Sequence, residues 1–175
     1  MLHFRLSLHR HETPMGELLL STDGDMNLRT LDFADHEPRM LRLLSLYYGS
    51  FELIEAEVPQ KLSEPLDRYF AGELDALATI PWATSGTLFQ NKVWSALNTI
   101  PPGTTASYGE IARKIGSPNA SRAVGAANGS NPVGIVVPCH RVVGGNGALT
   151  GYGGGIERKR WLLEHERRYS TKSLC

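Results

Sequence analysis

The sequence predicts an α+β protein of two small domains, an N-terminal antiparallel sheet with helices and a C-terminal domain that is mainly helical. A chain of 175 residues is long enough for two small cores. Apolar residues first alternate with a period of two and later recur at helical spacing. The charge also changes sign, because residues 1–84 hold 7 Lys and Arg against 14 Asp and Glu, whereas residues 85–175 hold 11 against 4. We therefore predict an acidic domain at 1–84, a second domain at 85–169 and a tail at 170–175.

Three strands and two helices are predicted for the N-terminal domain. Residues 4–8 alternate apolar with polar side chains, and residues 17–22 and 28–33 give two further strands. Residues 38–48 and 60–71 carry apolar side chains at helical spacing. We expect these two helices to cover one face of the sheet.

Four helices are predicted for the second domain, which follows a connection at about residues 80–86. Residues 89–100 carry an apolar stripe that ends at two prolines, and residues 156–166 form a final amphipathic helix. Between them lie a short helix at 108–115 and a second helix that begins after Asn119 or Ser121 and runs to about Gly129. A helix, a short turn and a helix are the layout of a DNA-binding helix-turn-helix.

The second helix of this pair consists mostly of small residues. Asn119 or Ser121 can cap its start, and Arg122 is its only long side chain. A recognition helix in the major groove needs several long polar side chains, so this helix favours close approach to the duplex and contact through shape and phosphates. Tight packing within the protein is the alternative reason for the small residues, which are Ala120, Ala123, Gly125, Ala126, Ala127 and Gly129.

The chain is organised around residues 135–143, an apolar run that is interrupted by Pro138, Cys139, His140 and Arg141. The β-branched residues on both sides predict a buried strand that resumes after the interruption. Proline breaks the hydrogen-bond ladder, so Cys139 is expected at the floor of a pocket. A cysteine beside a histidine is typical of a nucleophile, but a lone thiol is more often a buried structural residue, and this pair alone leaves both possibilities open.

This stretch resembles the active-site signature Pro-Cys-His-Arg-Val of the O6-alkylguanine-DNA alkyltransferases, which repair alkylated guanine by taking the alkyl group onto their own cysteine. The resemblance implies a ribonuclease H-like N-terminal domain and a C-terminal domain of the winged helix-turn-helix kind. It extends in the family's order and spacing over residues 107–112, 122–125, 131–132 and 162–166, and more weakly over 13–16, 89–90 and 93–94.

The resemblance also implies the reaction. The alkyl group of O6-alkylguanine in DNA, and also of O4-alkylthymine, is expected to move irreversibly to Cys139, so that each protein molecule acts once. A normal cysteine is mostly protonated at neutral pH, so a base must activate it. By resemblance, Glu166 orients His140, which acts through a water on Cys139, while Asn131 braces the loops around the site.

Nucleotide flipping is part of the implied function, because the target atom cannot be reached inside a stacked duplex. In the family, the arginine that matches Arg122 enters the base stack in place of the extruded nucleotide, and the tyrosine that matches Tyr108 helps to rotate the phosphate and bonds the flipped base. Backbone groups of Cys139, Val142 and Gly153 are expected to bind the guanine edge. The complete predicted sets are Val142, Tyr152 and Gly153 for the substrate pocket and Tyr108, Arg122, Ala123, Ala126, Ala127 and Gly129 for DNA.

No cofactor and no metal site are predicted, and the two cysteines, Cys139 and Cys175, are too few for a disulfide scaffold. The sequence has no secretory leader and no apolar run of membrane-spanning length, so we expect a cytoplasmic protein. The expected partner is double-stranded DNA with an alkylated guanine, bound by a monomer without strong sequence preference. Membrane partners are not expected.

Two other functions remain compatible with the residues. A cysteine hydrolase built from Cys139, His140 and Asn131 would turn over repeatedly and use the glycine-rich stretches near residues 144–155 as an oxyanion hole. A non-catalytic protein that binds alkylation damage is the second alternative. The relatives of that kind replace the cysteine, whereas Cys139 is present here.

Overall fold

A four-stranded sheet forms the centre of the N-terminal half in the computed structural model, which describes residues 3–172. Strands β1 (Phe4–Thr13), β2 (Gly16–Thr22) and β3 (Leu28–Phe33) are antiparallel neighbours, as predicted. A fourth strand, β4 (Phe51–Glu55), pairs in parallel with β1, which gives the order β3-β2-β1-β4. The predicted antiparallel arrangement of the first three strands is therefore confirmed, and β4 adds a parallel pairing that was not predicted. The apolar pattern of the sequence does not indicate β4, because this edge strand is short and no residue in it is fully buried.

The two helices of this half lie on opposite faces of the sheet, so the prediction that both cover one face is also wrong. Helix α1 (Glu37–Tyr48) packs on the face of Leu19, and helix α2 (Gln60–Phe70) packs on the face of Leu18 and Leu20. Side chains alternate between the two faces of a strand. Consecutive buried leucines in β2 therefore make both faces apolar, and each face needs a cover.

The C-terminal half contains the four predicted helices and a short pair of strands. Its elements are α3 (Leu88–Leu97), β5 (Ala106–Ser107), α4 (Tyr108–Lys114), α5 (Ser121–Gly129), β6 (Val142–Val143) and α6 (Ile156–Lys172). Helices α4 and α5 form the predicted helix-turn-helix, and β5 pairs in parallel with β6. Helix α6 continues six residues beyond the predicted end at Glu166.

Side-chain caps begin two of these helices. Thr87 with Gln90 and Ser107 with Glu110 form capping boxes at the starts of α3 and α4. Helix α5 begins differently, because its N-cap is Ala120 and no side chain caps it. The expected cap by Asn119 or Ser121 is therefore not formed.

The apolar run before the cysteine is buried but is not a strand. Ile135 has a left-handed backbone (φ 67°), and the Val137 amide donates to the Val133 carbonyl at 3.0 Å, so residues 133–137 form tight turns. A 3-10 helix, Cys139–Arg141, follows and leads into β6. The sequence signal failed because burial from every side gives a short apolar run without periodicity, whatever its backbone conformation.

The two halves share one apolar core. It joins Leu18 and Leu20 of the sheet to Trp94 of α3 and to Val137 in front of the cysteine. The edge of β3 is also covered by the C-terminal half, because the Leu31 amide donates to the Pro132 carbonyl at 2.9 Å. Among the described helices, none combines the length and the apolar character that a membrane span requires.

Candidate active site at Cys139

Cys139 lies at the contact between the two halves. It is the first residue of the 3-10 helix, and only 6% of it is exposed. The cavity next to it has a volume of about 10 Å³, which is no more than a single water molecule needs. Its walls come from the sheet and α1, from the turn before the cysteine and from the loop before α6: Leu31, Asp32, Phe33, Arg39, Asn131, Gly134, Tyr152, Gly153 and Gly154.

The loop of residues 144–155 closes this cavity. A Cβ atom on Gly153 would lie 2.7 Å from the Arg39 guanidinium, and one on Gly154 would lie 2.5 Å from the Phe33 ring. On the other side, Tyr108 and Thr150 share a hydrogen bond of 2.6 Å between their hydroxyls. The glycines thus allow the loop to lie directly on the N-terminal half, and a ligand larger than a water molecule can reach Cys139 only when the loop moves.

A fully buried carboxylate, Glu166, lies behind the 3-10 helix. Arg141 binds it in a fork, with Nε 2.8 Å from Oε1 and Nη2 2.9 Å from Oε2. Tyr69 Oη donates to Oε2 at 2.6 Å, and His140 Nε2 lies 2.8 Å from the same oxygen. Burial disfavours the charged form, but the charges and hydrogen bonds of His140 and Arg141 outweigh it and hold the pKa of Glu166 well below its usual range.

This carboxylate determines which nitrogen of His140 is the base. An ionised carboxylate can only accept, so Nε2 carries the proton and Nδ1 has the free lone pair. Nδ1 is buried and has no hydrogen-bond partner within the described part of the chain. Burial also lowers the pKa of His140, and Glu166 only partly opposes this effect. His140 is therefore a neutral imidazole whose Nδ1 can accept a proton.

The thiol itself is protonated at rest. Burial raises the pKa of Cys139, while a hydrogen bond from Asn131 and the positive charges of Arg39 and Lys159 oppose the rise. Lys159 is completely buried, and its ammonium donates to the Thr150 carbonyl at 2.9 Å. The site therefore holds an unreactive thiol together with a base and two cations that favour its deprotonation.

Asn131 forms hydrogen bonds with the backbone of the turn before the cysteine. Its Nδ2 donates to the Val137 carbonyl at 2.9 Å, and its Oδ1 accepts from the Val133 amide at 3.0 Å. It does not bond His140, whose carboxylate partner is Glu166. The Cys-His-Asn arrangement of a cysteine hydrolase is therefore not formed.

The other predicted pocket residues lie around the same loop. Tyr152 lines the cavity, and its hydroxyl would lie 3.8 Å from a Cβ atom on Gly134. Burial and the neighbouring Cys139 raise the pKa of Tyr152 well above its ordinary value. Val142 is completely buried in β6 and does not line the cavity directly.

Helix α5 exposes one face that fits the predicted contact with DNA. Arg122, Ala123, Ala126 and Gly129 are exposed and follow one another at helical spacing. Ala127 is the exception, because it is only 3% exposed and its carbonyl accepts from Trp94 Nε1 at 2.8 Å. Its predicted role as a DNA contact does not fit this inward position, which instead anchors α5 on α3.

Four residues of the site were not singled out by the sequence analysis. Tyr69 and Arg141 hold Glu166, and Lys159 lies near the thiol. Arg39 joins the halves, because Nη1 binds Asp32 at 2.8 Å and Nη2 donates to the Gly129 carbonyl at 2.8 Å. For Lys159 a signal exists in the sequence: it lies three, four and seven residues before three inward positions of α6, which are Leu162, Leu163 and Glu166.

Known proteins match this chain over nearly its whole length. Residues 88–168 match the DNA binding domain of 6-O-methylguanine DNA methyltransferase, and residues 8–84 match its ribonuclease-like domain. The methylated-DNA–protein-cysteine methyltransferase of Shigella flexneri is 49% identical over 164 residues, which cover 93% of this chain and 96% of that protein. The protein of the same name from Mycobacterium tuberculosis strain H37Rv is 45% identical over 179 residues, covering 99% and 98%.

Solved structures agree with these sequence matches. The crystal structure of Mycobacterium tuberculosis OGT in complex with DNA has a TM-score of 0.76 and 43% identity, covering 96% of this chain and 94% of that one. The O6-methylguanine-DNA methyltransferase of Pyrococcus kodakaraensis strain KOD1 has a TM-score of 0.71 and 29% identity, covering 92% and 98%. The predicted α+β fold, with a ribonuclease-like first domain and a helical DNA-binding second domain, is confirmed. This chain therefore belongs to the 6-O-methylguanine DNA methyltransferase family.

Proposed function

We propose that this protein repairs O6-alkylguanine in DNA directly, by moving the alkyl group from O6 of the base to Sγ of Cys139. The observation that carries the proposal is the pairing of this buried thiol with a neighbouring histidine whose Nε2 is committed to an ionised carboxylate. That arrangement leaves Nδ1 of His140, the residue after Cys139, without a hydrogen-bond partner among the described residues and able to accept a proton. It occurs in a chain whose relatives are named for this transfer.

The proton and electron balance of the transfer follows from these groups. His140 takes the thiol proton, directly or through a water, and the thiolate attacks the alkyl carbon of the base. The new S–C bond forms as the C–O6 bond breaks, and the departing guanine takes up one proton at N1. The thiol proton accounts for that proton, so the sum is one thioether and one normal guanine.

Glu166 supports this step as a fixed negative group behind the imidazole. When His140 accepts the proton it becomes a cation in a buried site, where an uncompensated charge is costly. The Glu166 carboxylate at 2.8 Å from Nε2 stabilises that cation. Asn131 holds the turn of residues 133–137, and so fixes the orientation of the thiol relative to the alkylated guanine.

The base would occupy the space that the loop of residues 144–155 now fills. Tyr152 and Gly153 line this space, and Val142 supports it from β6. Backbone groups of Cys139, Val142 and Gly153 are the candidates for binding the guanine edge. Tyr108, which bonds Thr150 in the closed loop, would exchange that bond for one to the flipped nucleotide.

Double-stranded DNA would bind along the exposed face of α5. The small residues of that face allow close approach to the duplex, and Arg122 has the planar group that can stack in the gap left by a base. The surplus of positive charge after residue 84 favours contact with phosphates, without sequence preference. The protein is proposed to bind DNA as a monomer. The acidic half would face away from the duplex.

The transfer is proposed to occur once per molecule, because a thioether is not reversed by water or by cellular thiols. O4-alkylthymine is a second proposed substrate, since it presents the same alkyl–oxygen bond. A hydrolase would instead release many equivalents of product, and a binding protein would release none. The three functions therefore differ in the number of product equivalents formed per protein molecule, and this number can be measured.

Intact-mass measurement after incubation with DNA that contains O6-methylguanine tests the proposal. We expect a gain of one methyl group per molecule, which peptide mapping places on Cys139. Cys175→Ser is the matched control and should gain the same mass, whereas Cys139→Ser should bind DNA and gain none. Methylation of Cys175, repair by the Cys139→Ser variant or turnover of more than one equivalent would each contradict the proposal.

A further inference from the structure

The side chain of Tyr69 connects the N-terminal half, through Glu166, to His140, the proposed general base. Tyr69 lies in α2, is completely buried and donates its hydroxyl to Glu166 Oε2 at 2.6 Å. The same oxygen lies 2.8 Å from His140 Nε2 and 2.9 Å from Arg141 Nη2. One carboxylate oxygen is therefore shared by the N-terminal half and by the two residues that follow Cys139.

The hydroxyl of Tyr69 is a permanent donor in this cluster. Burial and the adjacent Glu166 raise the pKa of Tyr69 well above its ordinary value, so it remains protonated at neutral pH. An ionised carboxylate oxygen has only lone pairs to offer. Tyr69, His140 and Arg141 consequently compete as donors for the electron density of Glu166 Oε2.

This competition affects how strongly His140 holds a proton. A carboxylate stabilises an imidazolium by the negative charge that it presents to the ring N–H. Each further donor on Oε2 withdraws part of that charge. The Tyr69 hydroxyl thereby limits the attraction between Glu166 and a protonated His140, and it also fixes the plane of the carboxylate against the Arg141 fork.

We propose that Tyr69 is a positioning residue of the alkyl transfer, which sets the orientation and the strength of the Glu166–His140 pair through its hydroxyl. The inference rests on the function proposed above. Under this proposal, the ribonuclease-like half affects the rate of the alkyl transfer through Tyr69, although every reacting group lies in the C-terminal half. Tyr69 itself is not among the residues that line the cavity beside the thiol.

The ring of Tyr69 is held by contacts that do not involve its hydroxyl. It packs against the rings of Phe70 and His165 at centroid distances of 5.2 and 5.3 Å, and its backbone carbonyl bonds His165 Nε2 at 2.8 Å. Tyr69→Phe should therefore keep the packing and remove only the donor. The change tests the hydrogen bond separately from the fold.

Several other groups face the cluster and remain unchanged in this variant. They are Arg141 on the 3-10 helix, Lys159 and His165 on α6, Tyr152 on the loop, the Cys139 thiol and the Gly103 amide, which donates to Glu166 Oε1 at 3.5 Å. A shift of the His140 pKa that appears in Tyr69→Phe, but not in a matched tyrosine variant elsewhere, is then due to the lost hydroxyl.

The experiment measures the single-turnover rate of methyl transfer from DNA between pH 5 and 9, together with the His140 pKa by nitrogen NMR. In Tyr69→Phe, Glu166 attracts the His140 proton more strongly, so the pKa of His140 rises and the acidic limb of the rate profile moves to higher pH. Loss of one charge-assisted hydrogen bond to Glu166 is worth roughly a tenfold change in an equilibrium constant, which sets an upper limit of about one pH unit on the shift. Tyr48→Phe is the matched control, because Tyr48 is a buried tyrosine that bonds Arg29 and not Glu166.

The outcomes are separable. A Tyr69→Phe profile that lies at the same pH as that of the unchanged protein, with or without a uniform loss of rate, would assign Tyr69 to the fold alone. If Tyr69→Phe does not fold, 3,5-difluorotyrosine at this position keeps the shape and strengthens the donor, and the His140 pKa should then fall. The NMR titration does not require transfer, so a failure of the proposed function appears separately, as absent mass gain on Cys139.

Discussion

Methylation of Cys139 should destabilise the folded protein. The thiol lies beside a cavity of about 10 Å³, and the loop of residues 144–155 packs against the N-terminal half with glycines whose Cβ positions are already filled by Arg39 and Phe33. After the guanine has left, a methyl group that is about as large as a water molecule remains on Sγ. The cavity beside the thiol is at the lower limit of what one water molecule needs, so the methyl group would be packed tightly against the cavity walls when the loop is closed.

The magnitude follows from the cost of overpacking. An extra methylene in a well-packed core costs about 1–3 kcal/mol, because side chains or backbone must shift. For a domain of this size each kcal/mol lowers Tm by about 2–4 °C, so the methylated protein should melt about 2–12 °C lower. A loop that stays open to relieve the overlap would lose its contacts with Arg39 and Phe33, which lowers stability in the same direction.

Differential scanning calorimetry can compare the two forms after the DNA has been removed. One sample is methylated to completion on Cys139, and the other is incubated with the unmodified oligonucleotide. Cys139→Ser, treated with both oligonucleotides, controls for effects that do not depend on the added methyl group. Equal or higher Tm for the methylated form would show that the closed loop does not determine the space around the thiol.

Four further results are expected. Arg122→Ala should slow transfer from duplex DNA by at least about tenfold, because extruding a base costs a few kcal/mol and Arg122 would no longer stabilise the extruded state. Transfer from free benzylguanine should be unchanged, and equal slowing on both substrates would assign Arg122 to the fold. Gly153→Ala should cost about 1–3 kcal/mol in urea unfolding, because its Cβ would lie 2.7 Å from the Arg39 guanidinium, which its bonds to Asp32 and to the Gly129 carbonyl hold in place. Gly145→Ala, whose Cβ would have no atom within 4 Å, should cost much less. Burial lowers the pKa of His140 in the folded protein, so below the unfolded value of about 6.5 only the unfolded chain takes up that proton. The free energy of unfolding should therefore fall by up to about 1.4 kcal/mol for each unit by which the pH is lowered, and His140→Gln should flatten this slope. Binding to undamaged DNA should weaken as salt rises and differ little between sequences, and a flat salt response would instead indicate base reading.

The sequence predicted the helices better than the strands because their apolar spacing is regular. The stripe of α3, with Val93, Trp94 and Leu97, faces the core as expected. By contrast, residues 135–137 are β-branched and buried yet form turns, because they are enclosed by both halves. Burial from all sides removes the periodicity that distinguishes a strand from other buried backbone.

The position of the reactive cysteine was also predictable, but its supporting residues were only partly so. Cys139 and His140 are adjacent in the chain, and a motif therefore identifies them. Tyr69 and Arg39 are separated from them by about 70 and 100 residues, and their roles arise only when the N-terminal half folds against the site. Single-sequence patterns describe local periodicity, whereas these contacts depend on the packing of the two halves.

A protein that is consumed by one reaction, as we propose for this one, has to keep its thiol intact between synthesis and use. Peroxides and stray alkylating agents attack exposed thiolates, and this thiol is neither exposed nor ionised at rest. Its loss to such agents should follow the frequency with which residues 144–155 open, in the way that protected amides exchange only through local opening. The bond between Tyr108 and Thr150 is one of the contacts that hold this loop closed, so it should lengthen the storage lifetime of the unreacted protein. If DNA releases this bond, as proposed above, the thiol becomes vulnerable only while its substrate is bound.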